Sequence, residues 1–420
     1  RISVAVAWQR RSGDSKLEEG PVGLGIGSKL AGRVLGAGVG LLAAAGSAQA
    51  IESCVASLKK QAIAAGVRPD VAERMLSGAT YDEKVIRFST SQPEHKTEIW
   101  DYMAFLVDAQ RIEDGKKNLK KHGRTLAAIE KRYGVDRHVV LAVWGIESDY
   151  GNFRGDFYTP HALATLACAG KRRQKYFRGE LIKTLQIASR GDVPAKDFVG
   201  SWAGAFGQTQ FMPTTYTSLA VDFDGDGRKD LVNSVPDALA STANFLKDAG
   251  WRDSRPWGIE VSVPGGYSGP SGRKTYASLS TWSKRGLKKI DGGGLSGKLE
   301  AALIRPAGAS GPAFLVTRNF RALRSYNAST SYGLAIALLS ELVSGGEPFK
   351  TPWPTNNPGL SRAQRLELQK LLNKNGFKVG EPDGKVGPAT RAGIRKAEAK
   401  HGMPVTGRPS WNVYYALGGR

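Results

Sequence analysis

The sequence predicts a mainly α protein of the α+β kind: a large helical body with a small β subdomain, followed by a small three-helix unit at the C-terminal end. Three observations predict it. Apolar residues recur at three- and four-residue spacing through 55–246, β-like runs set between Gly/Ser/Pro-rich turns occupy 259–320, and a stretch without periodicity, rich in Pro and Gly, precedes the last sixty residues. A length of 420 residues fits two or three domains, and nine Trp with a 41% hydrophobic share can build a sizeable core. Two Cys and five scattered His exclude a cysteine-rich scaffold and a thiolate or HExxH zinc site. The net charge of +22 points to an anionic partner, and nucleic acid, membrane surface and cell-wall polymer all qualify.

Residues 34–45, VLGAGVGLLAAA, form an apolar run preceded by Lys29 and Arg33 and followed by the A-x-A pattern Ala48-Gln49-Ala50. The run is too short for a bilayer, which needs about 20 residues. Residues 1–50 are therefore expected to be an export leader, with a short buried helix as the alternative. Export places the mature chain in the periplasm and cell envelope, and disfavours nucleic acid as the partner. In that compartment Cys54 and Cys168 could pair; two buried thiols are the other option.

In the body, helices are expected at 97–112, 124–132, 137–148, 176–189, 236–249 and 331–343. The runs IEVSV, AALIR and AFLVTRNF are expected as strands. The stretch 344–359 holds four Pro and three Gly, which sets a linker at 346–359 between a domain at 51–345 and a unit at 360–420. That unit is expected to place helices at 361–375 and 389–401 around the turn-rich GEPDGKVGPAT.

The segment DRHVVLAVWGIESDYG, 136–151, is the most informative. Asp136 can cap a helix whose apolar stripe runs through Val140 and Val143/Trp144 to position 147, which is Glu147. A carboxyl on a buried face is disfavoured in its charged form, as a general acid near neutral pH requires. The competing readings are a last turn rotated into solvent and a Glu satisfied by a structural Arg. A second segment, GSWAGAFGQTQFMP at 200–213, interleaves Ser201, Gln208 and Gln210 with Trp202, Phe206 and Phe211. Amides beside aromatic faces suit sugar rings; a corner packed by small residues is the alternative.

In this order the two segments resemble the lytic murein transglycosylase B family: ESDYG matches its catalytic motif and SWAGAFGQTQFMP its second motif. Tyr326-Asn327-Ala328-Ser329-Thr330-Ser331-Tyr332 is similar to its YN…Y segment. The resemblance covers roughly residues 51–345. It implies a lysozyme-like catalytic domain with Glu147 as sole acid/base, Ser201 and Gln210 near the carboxyl and the bound sugar, and Gln208 and Phe211 in the same cleft. Tyr326, Asn327 and Tyr332 would complete that cleft. Tyr102, Arg172 and Arg173 are further groove candidates, although a solvated helix face is the better reading of the Lys171–Arg173 run. Phe245 stands where some members carry Tyr.

Ordinary glycosidases need two acids flanking the bond. Here Asp149 points to another helix face, and Asp156 is the only other nearby candidate. With a single acid the substrate must supply its own nucleophile; the family resemblance implies cleavage between N-acetylmuramic acid and N-acetylglucosamine, with the C6 hydroxyl closing on C1 to leave a 1,6-anhydro end. The alternatives are a hydrolytic muramidase and a non-catalytic wall-binding scaffold.

The loop 222–230 has DxDxDG spacing suited to a hard cation. Asn233 stands where an EF-hand has its closing Glu, and related lytic enzymes close a longer loop with an Asp, here Asp237. The candidate calcium ligands are Asp222, Asp224, Asp226, Arg228 through its carbonyl, and Asp237; a metal-free acidic turn is the alternative. No cofactor is expected for catalysis. The C-terminal unit resembles the peptidoglycan-binding domain 1 family in LSRAQRLELQKLLNKNGF and DGKVGPATRAGI, and departs from it at KAEAK. The expected partner is peptidoglycan, with other cell-wall enzymes as candidates, no nucleic acid, and a monomeric state.

Overall fold

The computed structural model describes residues 39–90, 97–253 and 255–420, with side chains described from Ile51 onward. The expected leader lies largely outside the described residues. A helix runs Val39–Ala64 through the expected cleavage point, and among the described residues no helix is long and apolar enough to cross a membrane.

The body is helical, as the periodicity predicts. The expected helix 97–112 is two, Ile99–Leu106 and Ala109–Lys121. Asp108 is the reason: its backbone is extended, and its carboxylate accepts from the Arg111 amide at 2.9 Å, capping the second helix. The other helices fall where spacing placed them, including Gly123–Tyr133, Arg137–Ser148, Gln174–Arg190, Val235–Asp248 and Thr330–Val343. Helix Arg137–Ser148 packs against Thr330–Val343, Ala109–Lys121 and Val235–Asp248, so it runs through the centre of the body. A disulfide joins Cys54 to Cys168, tying the first helix to helix Thr159–Ala169.

The β section is a five-stranded antiparallel sheet in the order Tyr276–Ser278, Glu300–Ile304, Ala313–Val316, Gly258–Ser262, Lys288–Lys289. Its two central strands are apolar at nearly every position because both faces are covered. Ala302, Ile304, Phe314 and Val316 join the main core, whereas Ala301, Leu303, Ala313 and Leu315 pack on Trp282 in a second cluster. The expected strand AFLVTRNF ends at Val316, since the Thr317 hydroxyl accepts from the Asn319 amide at 3.1 Å and starts helix Arg318–Tyr326.

The Pro-rich stretch is held to the body. Glu260 accepts from the amides of Lys350 and Thr351 at 2.8 Å each, and the Phe349 ring lies 4.7 Å from that of Phe314. The C-terminal unit has the expected three helices, Arg362–Lys374, Pro388–Lys400 and Trp411–Ala416, around a core of its own. Buried Gln369 fixes its DG turn by accepting from the amides of Asp383 and Gly384. Within KAEAK, buried Glu398 accepts from the amides of Thr406 and Gly407, both at 2.7 Å, so a carboxylate holds the final turn there.

Candidate active site

Helix Arg137–Ser148 starts at Asp136, whose carboxylate accepts from the His138 amide at 2.7 Å. Every residue from Val139 to Ser148 is buried. The apolar stripe is thus a whole buried circumference, and Glu147 on it is 6% exposed. The Tyr332 hydroxyl donates to Glu147 Oε1. Burial first, and the adjacent Glu147 second, push the hydroxyls of both Tyr332 and Tyr326 well above the ordinary phenol value, so both stay protonated donors.

The end of the helix is tightly built. Asp149 and Tyr150 both adopt the left-handed conformation, at φ 55° and 57°, and Gly151 continues it at φ 84°. For non-glycine residues such a backbone costs about 1–3 kcal/mol each and persists only where neighbours enforce it. Here they do. The Tyr150 hydroxyl donates to the Arg111 carbonyl at 3.0 Å, and its ring packs edge-on against Trp144. Gly145 makes room for that ring, because a Cβ there would lie 2.6 Å from Tyr150 Cζ. Asp149 is gripped by Arg111 Nε at 3.2 Å and by Arg362 through Nη1 and Nη2 at 3.0 and 2.9 Å. Burial alone would raise the Asp149 carboxyl, but the guanidinium hydrogen bonds and charges of Arg362 and Arg111 outweigh it and hold the group below the usual carboxylate range. Asp149 therefore stays ionised and cannot serve as a second proton donor. Asp156 is exposed.

The segment 200–213 is a compact loop braced against this helix. Ser201 is buried and its hydroxyl accepts from the Ala205 amide at 3.0 Å. Ser148 donates to the Gln208 carbonyl, and Trp144 Nε1 donates to Gln208 Oε1 at 3.0 Å. Gln208 Nε2 donates onward to the Val232 carbonyl at 3.0 Å. Gln210, at φ 54°, donates through Nε2 to the carbonyls of Arg154 and Gly207. In these contacts both amides shape the loop.

Phe211, Phe245 and Tyr326 form one aromatic cluster, in which Phe245 and Tyr326 lie 4.6 Å apart. Tyr326 also donates to the Thr209 carbonyl at 2.9 Å and lies almost parallel to Tyr332, 18° between ring planes. Asn327 is buried, and its Oδ1 accepts from the Ser329 amide at 3.1 Å, opening the turn that delivers Tyr332 to the carboxyl.

A cavity of about 490 Å³ opens beside Glu147. Tyr102, Phe105 and Phe153 from the body line it, and so do Arg362, Lys385 and Arg391 from the C-terminal unit. Of the expected site residues, Glu147 and Tyr102 line it; Ser201, Gln208, Gln210, Phe211, Tyr326, Asn327, Tyr332, Arg172 and Arg173 do not, and the last two lie in an exposed turn, where the Arg173 guanidinium sits 3.9 Å over the Tyr176 ring.

In the acidic loop, carboxylate oxygens of Asp222, Asp224 and Asp237 lie within 4.8 Å of one another. Asp237 is fully buried and accepts from the amides of Phe223, Asp224 and Asp230. The Asp226 carboxylate instead pairs with the Arg228 guanidinium at 2.9 Å. Three converging carboxylates fit a hard divalent cation.

The family model described as transglycosylase SLT domain matches residues 50–341. The chain belongs to this family. A peptidoglycan binding domain model matches residues 361–417. The membrane-bound lytic murein transglycosylase B of Escherichia coli is 30% identical over 283 residues, 65% of this chain and 77% of that protein. SltB3 of Pseudomonas aeruginosa, solved in complex with NAG-anhNAM-pentapeptide, is 40% identical, with a TM-score of 0.71 over 87% of this chain and 99% of that one. The Escherichia coli lytic transglycosylase Slt35 in complex with calcium is 27% identical, with a TM-score of 0.61 over 71% of this chain and 93% of that one. This transglycosylase is a mostly helical, lysozyme-like lytic enzyme of peptidoglycan.

Sequence reasoning missed Arg111, Tyr150 and every cavity residue of the C-terminal unit. Tyr150 lies inside the matched ESDYG motif, which could have flagged it. Arg362 is more than two hundred residues from Glu147, and no local pattern connects them.

Proposed function

We propose that Glu147 is the single acid/base with which this lytic transglycosylase opens the bond between N-acetylmuramic acid and N-acetylglucosamine. The observation that carries this reading is a buried carboxyl engaged by a buried Tyr hydroxyl at the edge of a cavity, with Asp149, two residues on, held ionised. Tyr332 donates to Oε1, and Glu147 enters the reaction as the protonated acid. Glu147 gives that proton to the glycosidic oxygen as the C1–O4 bond breaks, and the substrate's 2-acetamido group steadies C1. The resulting carboxylate takes the proton of the C6 hydroxyl, and O6 bonds to C1. The carboxyl is regenerated and no water is consumed. Only one acid is needed because nucleophile and electrophile belong to one sugar.

Mass spectrometry of digested peptidoglycan tests the reaction. Glycan ends lighter by one water than hydrolytic ends are the expected product, and ends that all carry the extra water would sink the reading. Ser201, Gln208 and Gln210 shape the loop packed on the Glu147 helix, Phe211 and Tyr326 back it, and Asn327 orders Tyr332. Tyr102 lines the sugar groove, and Arg172 and Arg173 stay outside the cavity beside Glu147.

Asp222, Asp224 and Asp237 would hold a calcium ion that braces the segment after the 200–213 loop and takes no part in catalysis. A ligand that binds only the folded state stabilises by about 2.7 kcal/mol at a hundredfold excess over Kd. Calcium should therefore raise the midpoint of thermal unfolding by several degrees, chelator should reverse the gain, and Asp237→Asn should abolish the response. A melting curve indifferent to both additions would rule the site out. The setting for this activity is the periplasm, in keeping with the export leader read at residues 1–50 and with an envelope relative.

A further inference from the structure

We infer that Arg362, which belongs to the C-terminal unit, is a positioning residue of the active site, so that this unit completes the catalytic machinery as well as tethering the enzyme to its polymer. The inference rests on the role proposed for Glu147.

Asp149 ends the helix that carries Glu147, two residues further on, in a left-handed conformation. Its carboxylate is one of three acidic groups gathered there, with Asp108 and Asp114. From the body, the cation Arg111 reaches that group through a single bond to Asp149 at 3.2 Å. The second comes from the C-terminal unit. Arg362 makes the two-pronged contact to both Asp149 oxygens at 3.0 and 2.9 Å, and its Nε lies 3.7 Å from Asp108 Oδ2. A planar guanidinium meeting both oxygens fixes the orientation of a carboxylate as well as neutralising it.

The placement of Arg362 is itself determined. It is the first residue of its helix, directly after Ser361, which forms a capping box with Gln364. Arg365, one turn on, lies 4.4 Å over the Phe105 ring of the body. A second bridge, Arg408 to Asp101, joins the same two parts of the molecule. The Pro-rich stretch between them is pinned to the sheet through Glu260. Without Arg362, Asp149 would keep only its single bond to Arg111, and the last turn of the helix would lose one of the groups that hold it. Glu147 lies on that turn.

The test uses the full chain and short soluble glycan strands, which need no anchoring to an insoluble wall. Arg362→Gln should lower kcat about tenfold while changing KM less than twofold and leaving sedimentation with intact wall unchanged. Arg362→Lys, keeping the charge but not the fork, should recover part of the loss. In a double-mutant cycle, Asp149→Asn with Arg362→Gln should be no slower than Asp149→Asn alone. Arg408→Gln, which loosens the other bridge, should lower kcat less. A kcat for Arg362→Gln within twofold of the parent, a loss confined to KM, or an equal loss in Arg408→Gln would each overturn the inference. Glu147→Gln in the same assay separates the two readings: turnover retained there removes the catalytic assignment, whereas turnover lost there but kept in Arg362→Gln removes only this one.

Discussion

Glu147→Gln should abolish wall lysis while leaving the protein folded and able to bind wall. The amide has the shape of the carboxyl and can still accept from Tyr332, so neither packing nor the helix end is disturbed. What disappears is the exchangeable proton that the leaving oxygen needs, and the base that would later take the C6 proton. General acid and base catalysis each contribute about 10²–10⁴-fold. Because one residue performs both roles here, the loss in kcat should reach at least 10³-fold, about 4 kcal/mol of transition-state stabilisation. Unfolding in urea should be unaffected or need slightly more denaturant, since a neutral amide is easier to bury than a carboxylate. Residual lysis within tenfold of the parent would remove Glu147 from the mechanism.

The second large effect is expected from Tyr332→Phe. The Tyr332 ring is fully buried, and its hydroxyl meets Glu147. Phe keeps the ring and its near-parallel partner Tyr326 while deleting only the donor. The carboxylate formed midway through the reaction then loses the hydrogen bond that reaches it from its buried side. Hydrogen bonds to charged groups contribute about 1.5–3 kcal/mol. The expected result is a fall in kcat of about 10–100-fold with KM little changed, measured by steady-state turnover of soluble glycan strands. Tyr326→Phe provides the contrast: its hydroxyl serves the Thr209 carbonyl, so its main effect should be on stability. An unchanged kcat in Tyr332→Phe would mean that the contact to Glu147 does not take part in the chemistry.

Both expectations concern residues that the amino-acid sequence already singles out. Glu147 is legible because a helical period of 3.6 puts it on the apolar stripe, and burial follows from that. Tyr332 and Asn327 are legible through a motif, although nothing in their spacing says which atom of the site they touch. Gln208 and Gln210 illustrate the limit. Amides among aromatic residues suggest sugar contacts, but three of their side-chain hydrogen bonds close on the carbonyls of Val232, Arg154 and Gly207. A polar side chain in a tightly packed loop bonds whichever buried group is nearest, and sequence does not reveal which carbonyl that will be. Asp226 is a similar case, since its own neighbour Arg228 captures it and leaves the remaining acids to converge.

The sequence by itself determined the helical body, the three central strands of the sheet, the three-helix unit and the buried carboxyl. Each of these is set by local periodicity, capping residues or turn chemistry, which act over a few residues along the chain. Only the tertiary structure decided that the Pro-rich stretch is pinned, that Asp149 is held between two arginines, and that the C-terminal unit lines the cavity beside Glu147. Those facts depend on charges and rings brought together from distant parts of the chain, and pairing of that kind is fixed by how elements pack in space.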